Sequence, residues 1–168
     1  MKAALVALLF AASAFAQAQS TVSAAGCPGD VSFKVHLDNA RHTLAQPQKG
    51  KALIYFIHDA GADNGIAYPT VKIGLDGAWV GANHGDSYFS VSVSTGEHHV
   101  CATLQSSMVD QRVELAHFTA ESGQVYFCRT RLLLSRAIEL LELDRIDSDQ
   151  GAYLIASYPL SVSHPKKY

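Results

Sequence analysis

Charge is scarce in this chain. Asp, Glu, Lys and Arg supply 17% of 168 residues, and thirteen basic against fifteen acidic side chains leave a formal charge of −2. The basic residues are scattered, so the electrostatic footprint of a nucleic-acid partner is missing. The closing Lys166-Lys167 is too short for a polybasic membrane anchor. Long apolar runs are absent after the first sixteen residues, so no later segment approaches the ~20 apolar residues a membrane helix needs. There is no useful internal repeat, no second domain, and no G-x-S-x-G elbow to mount a hydrolase serine. Cysteine is sparse as well: Cys27, Cys101 and Cys128. In an oxidising compartment three thiols allow one disulfide with one left over, and all three pairings are open. Cys27–Cys101 is the pairing expected here, because it ties a loose N-terminal segment to a central strand.

What is present begins with "MKAALVALLFAASAFAQAQS". Lys2 supplies a positive start, Ala3 to Phe10 an apolar run too short to span a bilayer, and Ala14-Phe15-Ala16 and Ala16-Gln17-Ala18 two small-x-small cleavage sites. The order predicts an export signal over 1–18, with the mature chain in the periplasm or secreted. Loss of Lys2 takes the formal charge from −2 to −3. The remaining ~150 residues are a single-domain length. Ala24-Ala25-Gly26-Cys27 loosely matches a lipobox, but it stands well past the apolar run, so a lipid anchor at Cys27 is the minority reading.

Period-two alternation dominates the rest. "DVSFKVHLD" puts Val31, Phe33, Val35 and Leu37 on one face of a half-buried strand. "ARHTLAQPQKGK" reads as a connecting loop, and residues 19–50 as an N-terminal strand and loop packing on a core formed by 51–168. "ALIYFIHD" is apolar on both faces, as a strand covered on both sides must be. In "TVKIGLDGAWVGA", Val71, Ile73 and Leu75 alternate, then Asp76-Gly77 offers a hairpin turn that needs positive φ. "SYFSVSVS", "EHHVCATLQ", "RVELAHFTA" and "QVYFCRTRLLL" continue the series, with turns at Thr95-Gly96, Ser106-Ser107 and Glu121-Ser122-Gly123. "AIELLELDRI" fits neither period well and is assigned as strand. "DSDQGAYLIASY" starts on candidate caps and stops before Pro159, which predicts a short helix; "LSVSHPKKY" is expected to be extended or frayed. The fold expected is mainly β: an antiparallel sandwich, or partly open barrel, of about eight short strands with one short C-terminal helix.

The stretch "VKIGLDGAWVGANHGDSYFSVSVSTGEHHV" carries a Leu-Asp-Gly turn, a return to Val-Gly, Ser-Tyr-Phe, a serine-rich strand and Gly-Glu-His-His. In this it resembles bacterial exported proteins with the domain of unknown function 2846, and more distantly PEGA-type surface domains. "VELAHFTAESGQVYFCRTR", with Tyr126-Phe127 as paired aromatics, fits the same pattern, so the match runs over residues 51–131. The resemblance implies an exported β-sandwich; it implies no activity and no catalytic residue.

The chemistry-bearing residues each have a plainer explanation. His98 and His99 are adjacent on a strand and so point to opposite faces; His99 and Cys101 share one, but no further ligand completes a zinc spacing. Eight histidines leave room for a composite site, and His36, His58, His84 and His117 lie on or beside strands. His84, Asp86 and Ser87 suggest a triad, yet neighbours in one loop rarely reach triad geometry, and Asn83, Gly85 and Asp86 are ordinary turn residues. Asp144, Asp147 and Asp149 are faintly calcium-like but lack the closing glutamate; a helix cap explains them more simply. Trp79 either covers the end of the core or, with Tyr88 or His84, forms an aromatic platform. These considerations favour a non-enzymatic binding or structural module of the bacterial envelope, without cofactor. An unknown envelope protein or glycan would be met through the loops bearing Asp76, Trp79, His84 and Tyr88. The alternative is a periplasmic metal-binding protein using strand histidines, and a third class is an assembly protein offering a sheet edge.

Overall fold

A computed structural model gives the architecture and describes residues 26–40, 43–61, 69–105, 113–135 and 138–166. The export segment over 1–18, most of the loop before Pro69 and the Ser106-Ser107 turn lie outside these residues. Among them are ten strands and one helix: β1 (Phe33–Asp38), β2 (Lys51–Asp59), β3 (Thr70–Leu75), β4 (Ala78–His84), β5 (Ser87–Ser94), β6 (Gly96–Leu104), β7 (Val113–Ala120), β8 (Val125–Ser135), β9 (Ile138–Ile146), α1 (Ser148–Ser157) and β10 (Leu160–Pro165).

The strands form two facing sheets, one of six in the order β1-β10-β5-β2-β8-β9 and one of four in the order β4-β3-β6-β7. The expectation of a mainly β, sandwich-like chain with a short C-terminal helix therefore holds, with two corrections. There are ten strands rather than eight, and the larger sheet is mixed: β2 runs parallel to β8, and β10 meets β5 in parallel at Leu160 and Tyr88. One of the added strands is the tail, expected to be extended or frayed. It is extended, and it runs antiparallel to β1 from Phe33 opposite Pro165 to Asp38 opposite Leu160. Its serines do the anchoring. Ser161 Oγ donates to the Ala82 carbonyl at 2.6 Å and Ser163 Oγ accepts from the Ala82 N–H at 3.0 Å, which satisfies backbone on the edge strand β4.

Two apolar layers result. Ala52, Ile54 and Phe56 of β2 join Val71, Ile73, Phe89, Val100, Ala102 and Phe118 between the sheets. Leu53, Tyr55 and Ile57 turn the other way and pack with Tyr88, Phe127, Leu154 and Ile155 beneath α1. That is why β2 is apolar on both faces. Helix α1 opens on Asp147, whose side chain accepts from the Gln150 N–H at 2.9 Å. Gly151 sits directly against the Phe127 ring, where a Cβ would overlap it, so the glycine sets how closely the helix lies on the sheet.

Candidate functional site

The β3–β4 turn places both Asp76 (φ 51°) and Gly77 (φ 78°) in the left-handed region, the conformation a two-residue hairpin loop demands. The Asp76 carboxylate is used internally. It accepts from His98 Nδ1 at 2.7 Å and from the His99 N–H at 2.9 Å, locking the turn onto β6. His98 is buried, its Nε2 lying 2.9 Å from the Ser94 carbonyl, while His99 faces the opposite side.

Residues 27–30 form a strap over the outer face of the four-stranded sheet. Cys27 is linked to Cys101 of β6, with Cα atoms 5.4 Å apart. Pro28 lies against Gly74 of β3, the Gly29 carbonyl accepts from Trp79 Nε1 at 2.8 Å, and Asp30 meets Lys72 Nζ at 2.9 Å. Lys72 is only 2% exposed, and its ammonium stands 4.9 Å from the Trp79 ring centroid. Trp79 thus neither caps the core nor forms a free platform; it clamps the strap. Gly74 is required beneath it, since a Cβ there would lie 2.6 Å from Cys101 Sγ. The disulfide that ties this segment to β6 is the pairing expected from the sequence; the part that Lys72 and Asp30 play in holding the strap was not foreseen. The one signal was a glycine and a lysine on the outward positions of an otherwise apolar strand.

The far end of β4 gathers a second set of polar groups. Asp86 accepts from the Ala60 N–H at 2.7 Å, and exposed His84 meets Thr70 Oγ1 through Nδ1 at 3.1 Å. Ser87 is buried and donates to Asn83 Oδ1 and the Gly85 carbonyl, both at 3.4 Å. The His84 backbone N–H donates to Ser87 Oγ at 3.2 Å, but the His84 ring meets Thr70 and the Asp86 carboxylate the Ala60 N–H, so the three side chains do not form a triad. Tyr158 donates to Asp59 at 2.8 Å; Arg129 lies 3.7 Å from Asp59 and makes a 2.8 Å pair with Asp144, and Arg131 pairs with Glu142 at 2.6 Å. Burial and the Asp59 bond push the Tyr158 phenol above its ordinary range, and the bond to Asp144 raises Arg129 further. This network also went unseen in the sequence. An open groove of about 510 Å³ adjoins Tyr158, lined by Asn39, Ala40, Thr43, Ile155 and Ser157.

His58 is fully buried beside this end. Its Nδ1 stands 3.1 Å from both the carbonyl and the hydroxyl of Thr130, and its Nε2 has no partner among the described residues. Desolvation holds its pKa below the ordinary 6.5, against the opposing pull of the Thr130 carbonyl, Asp86 and Asp59. The remaining thiol, Cys128, is buried between the sheets and pushed up to about 12 by that burial, which makes it unreactive in the fold.

The loop residues expected to act together are spread out. Asp76 and His84 lie at opposite ends of a seven-residue strand, roughly 20 Å apart at ~3.3 Å per residue. Tyr88 is buried under α1, where desolvation and Tyr55 raise its pKa. Exposed His36 and His117 sit on β1 and β7, remote in strand order from buried His58. Among the described residues no three His, Cys, Asp or Glu side chains stand together as a metal-ion cluster. Asp144 serves Arg129 and Asp147 caps α1, so these carboxylates are divided between structural partners.

No family model matches the chain, and no solved structure matches it. It is 22% identical over 130 residues to an uncharacterised protein of Haemophilus influenzae, an alignment covering 77% of this chain and 73% of that relative. That similarity names no activity.

Proposed function

We propose that this is an exported protein of the bacterial envelope, of the kind carrying the domain of unknown function 2846, serving as a non-enzymatic binding or structural module. The observation that carries the reading is the covalent strap. A disulfide between a surface segment and a sheet strand persists in an oxidising compartment and is reduced in the cytosol. The same bond argues against a lipid anchor, because a Cys27 sulfur joined to Cys101 cannot also carry a thioether lipid. No helix among the described residues is long and apolar enough to cross a membrane.

The contact surface is the end bearing His84, Asp86 and Tyr158. At the opposite end the Asp76 carboxylate is consumed by His98 and the backbone, and Trp79 by the strap. Here His84 is exposed, and the groove beside Tyr158 offers both hydroxyl and apolar lining to an envelope protein or glycan. A photo-crosslinking residue placed at His84 in the native host tests this. Capture of a defined envelope component is expected, with none from the same probe at Ala78 on the other end. Equal capture at both positions, or recovery of the protein only from the cytosol, contradicts the reading.

A further inference from the structure

We infer that His99 and His117 form a two-imidazole site for a divalent transition-metal ion, Cu(II) above all, on the outer face of the four-stranded sheet. The two residues are directly opposite in the antiparallel β6–β7 register, and their rings stack at 6.3 Å between centroids with 28° between planes. Directly opposed strand residues have Cβ atoms ~4.5–5.5 Å apart, so rotation about the side-chain bonds brings one nitrogen of each ring to the ~2.0–2.1 Å a metal–imidazole bond requires. His58, His84 and His98 have ring nitrogens engaged with Thr130, Thr70, and Asp76 and Ser94 respectively. The rings of His99 and His117 meet each other, and no hydrogen bond to another described residue occupies their nitrogens.

The platform is stiff. Eight consecutive residue pairs hold β6 to β7, and two positions along, Cys101 anchors β6 to the strap. Pre-positioned donors lose little freedom on binding. No third His, Cys, Asp or Glu among the described residues joins the pair, so water fills the remaining positions. Neutral imidazole pairs suit copper and zinc, and the Irving–Williams order places Cu(II) first. Sequence spacing could not reveal this pair, since eighteen positions separate two residues that only register brings together. The site rests on strand register and stands whether or not the chain is exported.

The test uses the tag-free chain with its disulfide intact, titrated with CuCl₂ in a non-coordinating buffer and followed by electron paramagnetic resonance. One equivalent should bind with hyperfine structure from two imidazole nitrogens. His99→Ala and His117→Ala should each weaken binding at least about tenfold, since even outer-shell changes at metal sites cost that much. His36→Ala, an exposed histidine on β1, should bind as the parent does. Because His117 is exposed, its replacement leaves the fold intact by circular dichroism, and a melting temperature raised by copper in the parent alone gives a second readout. Equal binding by the parent and both variants, a spectrum of backbone amide nitrogens, or no saturation below about 1 mM, a bare −4 kcal/mol, overturns the site.

Discussion

Lys72 and Gly74 show how one residue's surroundings decide its meaning. On a period-two strand both occupy outward positions, which ordinarily means solvent, yet the strap buries the lysine and leaves the glycine no room for a Cβ. Nothing local announces this, because the covering residues are more than forty positions away in sequence. By contrast, Asp76-Gly77 was legible, since few residue pairs tolerate two successive positive φ values. Gly74→Val should cost about 1–3 kcal/mol by overpacking and should expose the Cys27–Cys101 bond to reduction, seen as two additional alkylatable thiols at a dithiothreitol concentration that leaves the parent's disulfide intact. A single thiol after that change counts against the contact. His58 governs a pH effect whose sign follows from its lowered pKa. Below 6.5 the unfolded chain takes up a proton that the folded chain refuses, so stability present above 6.5 falls as the medium is acidified. Urea midpoints measured between about pH 7.5 and 5 should decline, and decline less steeply in His58→Gln. Identical slopes would show that His58 does not carry the effect.

At the scale of elements, alternation identified half-buried strands such as β1, β3 and β5, because such a strand must repeat every second residue, while β9 and β10 carried no clear period. Helix α1 was legible from its cap and from Pro159. Strand direction was not. Period two is the same for parallel and antiparallel neighbours, so the pairing of β2 with β8 left only the doubly apolar character of β2 as a trace. The tail escaped for a related reason: its serines look solvent-facing, but Ser161 and Ser163 spend their hydroxyls on β4. Helix α1 covers one face of the large sheet through Leu154 and Ile155. Leu154→Ala should therefore destabilise by about 2–5 kcal/mol, and Asp147→Ala, which removes the cap, by ~1 kcal/mol. Chemical denaturation measures both; an equal, small effect of the two would mean that the helix merely rests on the sheet.

For the whole molecule, the strap closes a loop between residues 74 positions apart. Chain-entropy reasoning gives such a cross-link roughly 4 kcal/mol, so a reductant should lower the denaturation midpoint of the parent and leave a Cys27→Ser variant unchanged. Site legibility tracked the same divide between local and distant. Of the residues called out by sequence, Asp76 and His84 fall at opposite ends of the β4 hairpin and Tyr88 is buried, whereas Asp59, Arg129 and Tyr158 come together from separate parts of the chain and carry no shared motif. The central claim is a chain exported and then stapled through Cys27. Mass spectrometry of the protein from its native host's envelope, alkylated before and after denaturation without reductant, tests this most directly. The account predicts no labelled thiol while folded, Cys128 alone after unfolding, a linked Cys27–Cys101 peptide, and an N-terminus just after Ala16 or Ala18. Three labelled thiols, a lipid on Cys27 or an intact Met1 would contradict it.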